Sequence, residues 1–115
     1  MIPYGRQSIS KADIDAVIKV LQSDYLTQGP AVPEFEKALA ARCHANHAVA
    51  VNSATSALHL ACLALEVGPG DVVWTSSTTF VASANCARYC GAAVDFVDID
   101  PGTWCLSAEK LEEKL

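Results

Sequence analysis

The sequence has 115 residues, and its 13 acidic and 8 basic side chains give a formal net charge of −5 at pH 7. This balance argues against a nucleic-acid or anionic-membrane partner, because such partners are met by Lys- and Arg-rich surfaces. Hydrophobic residues make up 51% of the chain, which predicts apolar faces that another segment or subunit covers. No apolar run reaches the length of a membrane span and no signal peptide precedes Ile2, so we expect a cytoplasmic protein.

The first 47 residues are predicted to form an N-terminal arm followed by two helices. Ile14, Val17 and Leu21 recur at helical spacing after Ser10, which is typical of an N-cap, and predict an amphipathic helix over 10–23. An exposed loop follows at Asp24–Pro30. A second helix is expected to start at Pro33, because proline is tolerated in the first turn, and to end near 43–44.

Residues 48–115 are predicted to begin an α/β domain. Short runs rich in β-branched residues predict strands at 48–51, 72–75 and 93–97, and Ala- and Leu-rich or amphipathic runs predict helices at 57–65, 80–90 and 108–115. This alternation indicates a mainly parallel sheet covered by helices on both faces. Because parallel strands are normally buried on both faces, three of them predict only the opening part of a larger domain.

The cysteines are not predicted to form disulfides or a metal site. There are five, an odd number, and several lie in apolar helical runs, which is typical of reduced thiols. The pattern Cys43-His44-x-x-His47 and the pair Cys86 and Cys90 both lack the ligand spacing of structural zinc sites.

The stretch 48–65 carries the clearest functional pattern. Ala54, Thr55 and Ser56 stand between a predicted strand and a predicted helix, where backbone amides lack intrahelical partners and the helix dipole is positive. Small side chains let an anion approach those amides, so we interpret the three residues as a phosphate cradle. A plain Ser/Thr N-cap without a ligand is the alternative.

Phe80 follows the second predicted strand, at the sheet edge where α/β proteins bind ligands. An aromatic ring at this edge can stack on a flat cofactor. Phenylalanine is more often buried in a core, and the residue pattern alone favours core packing.

Five motifs in order resemble the DegT/DnrJ/EryC1/StrS aminotransferase family. They are YLTQGP (25–30), NSATSAL (52–58), GPGDVV (68–73), TTFVASAN (78–85) and DFVDID (95–100). The resemblance implies the large domain of a pyridoxal 5'-phosphate (PLP) enzyme with the aspartate aminotransferase fold, type I, which acts on nucleotide-linked keto sugars. The segments IPYGRQSI and SDYLTQGP most resemble family members of the pseudaminic acid pathway.

The resemblance also implies roles for individual residues. Thr55 and Ser56 match positions that hold the PLP phosphate, and Phe80 matches the aromatic residue that stacks on the pyridine ring. Tyr4, the loop residues and Ala54 match positions that contact substrate; in the loop these are Asp24, Tyr25, Leu26 and Thr27. The implied partners are a UDP-sugar substrate, an amino-acid donor, expected to be L-glutamate, and a second subunit of a homodimer.

In the family, the Schiff-base lysine and the aspartate paired with the pyridine nitrogen follow later in the chain than the matched motifs. None of the five lysines here matches a catalytic position, so the 115-residue chain is predicted to be inactive alone. The resemblance also separates strand 48–51 from the next two strands, which predicts instability or self-association. The alternatives are a non-catalytic phosphate- or nucleotide-binding module, and a lysine-less relative with a dehydratase or regulatory role.

Overall fold

The computed structural model describes residues 5–115 and divides the chain into two compact units, Met1–Ala50 and Val51–Leu115. Tyr4 lies outside the described residues. The first unit contains helices α1 (Lys11–Leu21) and α2 (Ala31–Cys43). The second unit contains α3 (Ala54–Ala64), β1 (Val72–Ser76), α4 (Ala82–Tyr89), β2 (Ala93–Val97) and α5 (Ala108–Glu112).

Helix α1 begins with a complete capping box. The Ser10 hydroxyl accepts from the Asp13 N–H at 3.3 Å, and the Asp13 carboxylate accepts from the Ser10 N–H at 2.7 Å. This second bond is the first cause of the lowered pKa of Asp13. Helix α2 begins at Ala31, two residues before the predicted start, so Pro33 lies within its first turn, where its missing N–H costs no helical hydrogen bond.

The second unit is built on a β1–α4–β2 crossover. The two strands are parallel, with Val72 opposite Ala93 and Ser76 opposite Val97. The strand prediction is nearly correct for β1 and correct for β2, and the prediction of an α/β unit with a parallel sheet is confirmed. The buried hydrophobic residues of the described chain all belong to this unit: Ala82, Cys86, Ala87, Ala92 and Val97.

The prediction of a strand at 48–51 is wrong. This segment is irregular and pairs with no strand in the described part of the chain. One backbone N–H of this segment instead hydrogen-bonds to a side chain: the Ala50 N–H donates to the Glu36 carboxylate at 2.8 Å. A β-branched run becomes a strand only where another strand supplies hydrogen-bond partners, and β1 and β2 pair with each other.

Two further boundaries differ from the prediction for local reasons. Helix α3 starts three residues earlier than expected, because Ser53 caps it. Helix α4 spans Ala82–Tyr89, shorter than the predicted 80–90, and Gly91 follows it with a φ of 81°, a left-handed conformation that suits glycine at a helix end. The turn after β2 is closed by a side chain. The Asp100 carboxylate accepts from the N–H groups of Gly102 and Thr103, each at 2.8 Å.

Candidate functional site

The first turn of α3 is a capped helix end with unused backbone donors. Ser53 has extended φ and ψ angles of −161° and 158°, and its hydroxyl accepts from the Ser56 N–H at 3.2 Å. The N–H groups of Ala54 and Thr55 have no acceptor among the described residues. Both groups are therefore available to an external anion, at the positive end of the helix dipole.

The hydroxyls of this turn are not equivalent. Ser56 Oγ donates to Asn52 Oδ1 at 2.7 Å, and the hydroxyls of Ser53 and Ser56 lie 3.2 Å apart. The single proton of Ser56 is therefore used inside the chain, whereas the half-buried Thr55 makes no side-chain hydrogen bond to any described residue. The free donors of the turn are two amides and the Thr55 hydroxyl. Asn52 and Ser53 shape the turn through these bonds.

Phe80 is 73% exposed, so it is not part of the core. It follows the carboxyl end of β1 by four residues, and its carbonyl accepts from the Ser83 N–H at 3.0 Å as α4 begins. The interpretation as a core residue, which the residue pattern alone favoured, is wrong. An exposed aromatic ring beside a strand end keeps one face available for a flat ligand.

The predicted substrate residues Asp24, Tyr25, Leu26 and Thr27 form one exposed loop of the first unit. Tyr25 is 61% exposed. Tyr25 lines a cavity of about 320 Å³ that is also lined by Lys19, Ser23, Pro30 and Glu34. Ala54, by contrast, belongs to the first turn of α3 in the second unit.

Helices α3 and α4 pack together through side chains that the sequence pattern did not connect. The rings of His59 and Tyr89 meet edge to face, with centroids 5.3 Å apart. Burial, together with the neighbouring thiols of Cys86 and Cys90, raises the pKa of Cys62 to about 11. The sequence pattern of each helix predicts which of its residues face the protein interior. It does not predict which residue of α3 contacts which residue of α4.

All five cysteines are free thiols in the structure, with Cys43 and Cys105 exposed. Among residues 5–115 no cluster of His, Cys, Asp and Glu has the geometry of a metal site. The helices described are all too short or too polar to cross a bilayer.

One sequence-family match includes the first turn of α3, the loop that contains Phe80 and the loop before α2. The sequence model of the DegT/DnrJ/EryC1/StrS aminotransferase family matches residues 7–115. The chain belongs to this family. Solved structures of proteins similar to this chain contain PLP or pyridoxamine 5'-phosphate, and PLP is the family's cofactor.

Individual relatives agree with this assignment. The chain is 46% identical over its whole length to UDP-4-amino-4,6-dideoxy-N-acetyl-beta-L-altrosamine transaminase of Campylobacter jejuni, covering 30% of that protein. It is 46% identical over 85% of its length to GDP-perosamine synthase of Caulobacter vibrioides, covering 27% of that protein. The PLP form of Spr1654 from Streptococcus pneumoniae superposes on 99% of the chain with a TM-score of 0.91 and 36% identity, over 29% of that structure. The chain thus spans less than a third of the relatives it matches.

Proposed function

We propose that this chain is the cofactor-holding part of a PLP-dependent aminotransferase of nucleotide-sugar metabolism. The reaction is transfer of an amino group from L-glutamate to C4 of a UDP-linked 4-keto-6-deoxy amino sugar in pseudaminic acid biosynthesis, EC 2.6.1.92. The Campylobacter jejuni relative, which matches the whole chain, supports the UDP-sugar assignment. The Caulobacter relative, whose name refers to a GDP-linked sugar, supports the same reaction class with a different nucleotide.

The observation that carries the proposal is the pair of unused N–H groups at Ala54 and Thr55. A phosphate monoester is a dianion near neutral pH, and a helix end with free amides and a positive dipole stabilises it. Ala54 adds only a methyl group, so the phosphate can approach the backbone closely. The residues present therefore fit the phosphate of PLP, with Thr55 and Ser56 at its oxygens.

Ser56 must change its hydrogen bond to take part. Its hydroxyl donates to Asn52 in the structure, so binding through this hydroxyl requires the proton to turn from the Asn52 amide to the phosphate. An oxygen bearing negative charge is a stronger acceptor than a neutral amide, which favours the exchange. Phe80 supplies a ring face for stacking on the cofactor and excludes water from that side.

When bound, PLP supplies the electron sink for transamination. No residue of this chain is assigned as the catalytic base. Lys11 donates to Asp15 within α1, and Lys110 donates to Glu113 at the end of α5, both at 2.8 Å. Lys114 pairs with Asp95 of β2. Three of the five lysines are thus held in ion pairs, and because none matches the family's catalytic position we expect no transamination by the 115 residues alone.

The substrate is proposed to contact the loop Asp24–Thr27, Ala54 and Tyr4. The exposed ring of Tyr25 and the cavity of about 320 Å³ beside it support the loop assignment, since the volume lies in the range of small-molecule sites. Ala54 would contact substrate while its N–H binds the phosphate.

Self-association, as a homodimer, is part of the proposal. Helix α3 is strongly apolar, yet none of its side chains is buried in the described structure, and Leu60 and Leu63 are about half exposed. A helix that is apolar on all sides is stable only when covered. We expect unfolding midpoints that rise with protein concentration, and sedimentation above the monomer mass. A monomer whose cooperative melt does not depend on concentration contradicts this part.

Binding of pyridoxine 5'-phosphate, which keeps the phosphate but cannot form an imine, tests the cofactor assignment. We expect the 115-residue chain to bind it, and Thr55→Val and Phe80→Ala each to weaken binding. Phe35→Ala is the matched control, since Phe35 is also exposed, at 57%, but lies on α2. Absence of binding, or equal losses in the two phenylalanine variants, overturns the assignment. A lysine adduct trapped by borohydride with PLP overturns the expected inactivity.

Product analysis of the longer protein tests the substrate assignment. Incubation with glutamate and a UDP-linked 4-keto-6-deoxy amino sugar should yield a product whose mass shows replacement of the keto oxygen by an amino group. A GDP-linked 4-keto-6-deoxy sugar is the control. Conversion of the GDP-linked sugar alone overturns the UDP assignment and keeps the reaction class.

A further inference from the structure

The loop between α1 and α2 holds Tyr25 by its backbone rather than by burial of its ring. Ser23 Oγ accepts from the Tyr25 N–H at 3.3 Å and lies 3.1 Å from the Tyr25 carbonyl oxygen, to which it can donate. The same hydroxyl lies 2.7 Å from the Val20 carbonyl at the end of α1. One serine side chain therefore ties the main chain of Tyr25 to the helix, while the ring stays 61% exposed.

The absence of a side chain at Gly29 lets the chain pass close to the same residue. Gln28 has a φ of 54°, a left-handed conformation that turns the chain back on itself. As a result, a Cβ placed on Gly29 would lie 2.6 Å from Tyr25 Cβ and 3.2 Å from the Tyr25 carbonyl oxygen. Neither atom is the free end of a flexible side chain, so any residue with a Cβ at position 29 must displace the Tyr25 backbone.

We propose that Ser23 and Gly29 are positioning residues that hold Tyr25, and with it the loop Asp24–Thr27, in a single ligand-ready conformation. This inference rests on the proposed function, because it assigns the nucleotide-sugar substrate to that loop. A loop ordered before binding does not lose its conformational freedom when the ligand arrives, so affinity is higher than for a mobile loop.

The position of Tyr25 also affects the shape of the cavity beside it. Tyr25 and Ser23 both line the cavity, and Lys19 and Glu34 are also among its lining residues. Moving the Tyr25 backbone would move both the ring and the wall formed with Ser23. The restraint therefore acts on the shape of the cavity as well as on the loop.

The test uses the 115-residue chain, with UDP-N-acetylglucosamine as the probe. The variants are Gly29→Ala, Ser23→Ala and the control Gly68→Ala, whose added methyl group meets nothing closer than the Glu66 carbonyl at 3.9 Å. The measurements are the probe dissociation constant, the NMR resonances of the Tyr25 amide and ring, and the helical circular dichroism.

We expect Gly29→Ala to weaken probe binding at least tenfold and to displace the Tyr25 resonances while helix content is unchanged. Ser23→Ala should also weaken probe binding and displace the Tyr25 resonances. If Gly29→Ala does not fold, the result for Ser23→Ala tests the inference. Gly68→Ala should match the unmodified chain. Binding by both loop variants within twofold of the unmodified chain, or unmoved Tyr25 resonances, overturns the inference.

The failure of the proposed function gives a different result. If the unmodified chain does not bind the probe, but the Tyr25 resonances move in Gly29→Ala and not in Gly68→Ala, the substrate role of the loop is wrong and the restraint of Tyr25 stands.

Discussion

Replacing Ser53 by alanine separates the structural role of the α3 cap from its proposed role in phosphate binding. The substitution removes the oxygen that accepts from the Ser56 N–H at 3.2 Å. Loss of a serine N-cap costs about 1 kcal/mol of stability. For a domain of this size that corresponds to a fall of roughly 4–8 °C in the unfolding midpoint.

A matched cap in the same unit provides the control. Ser107 caps α5, and its hydroxyl accepts from the Lys110 N–H, also at 3.2 Å. Ser107→Ala should therefore cost about as much stability as Ser53→Ala. It should leave binding of pyridoxine 5'-phosphate unchanged, since α5 contributes no residue to the proposed cofactor site.

The effect of Ser53→Ala on binding follows from fraying of the first turn of α3. If the phosphate must first restore this turn, about 1 kcal/mol of its binding free energy is lost, which is roughly a fivefold increase in Kd. Thermal unfolding followed by circular dichroism and fluorescence titration measure the two quantities. Unchanged or tighter binding by Ser53→Ala, or equal weakening by both cap variants, would refute the reasoning.

Three further predictions concern the second unit and its thiols. Val97→Ala should lower the free energy of unfolding by about 2 kcal/mol in urea titration, because Val97 is fully buried, whereas Val72→Ala at an exposed position should cost much less. Gly91→Ala should cost about 1–2 kcal/mol, since alanine disfavours a φ of 81°; an unchanged midpoint contradicts this. Iodoacetamide at pH 8 should modify Cys62 more slowly than the exposed Cys43, because the pKa of Cys62 is raised to about 11 and little thiolate forms; equal rates, measured by peptide mass mapping, contradict it.

The fold of the second unit could be predicted largely from the sequence because its signals are local. The apolar runs at 72–75 and 93–97 lie in the strands that they predict, and β2 is found at its predicted bounds. The strand at 48–51 could not be decided in this way. Its composition is that of a strand, but pairing depends on a partner distant in sequence, and Glu36 instead accepts from the Ala50 N–H.

The sequence by itself determined the family, the types of most elements and the small residues at Ala54–Ser56, since composition and motif order are properties of the chain alone. Only the tertiary structure decided which donors of α3 are free and that Phe80 is exposed. It also decided that Gly29 lies so close to Tyr25 that a Cβ at position 29 would be 2.6 Å from Tyr25 Cβ. These facts depend on hydrogen-bond geometry, solvent access and close approach between backbones. Such quantities arise only when the chain is folded in three dimensions.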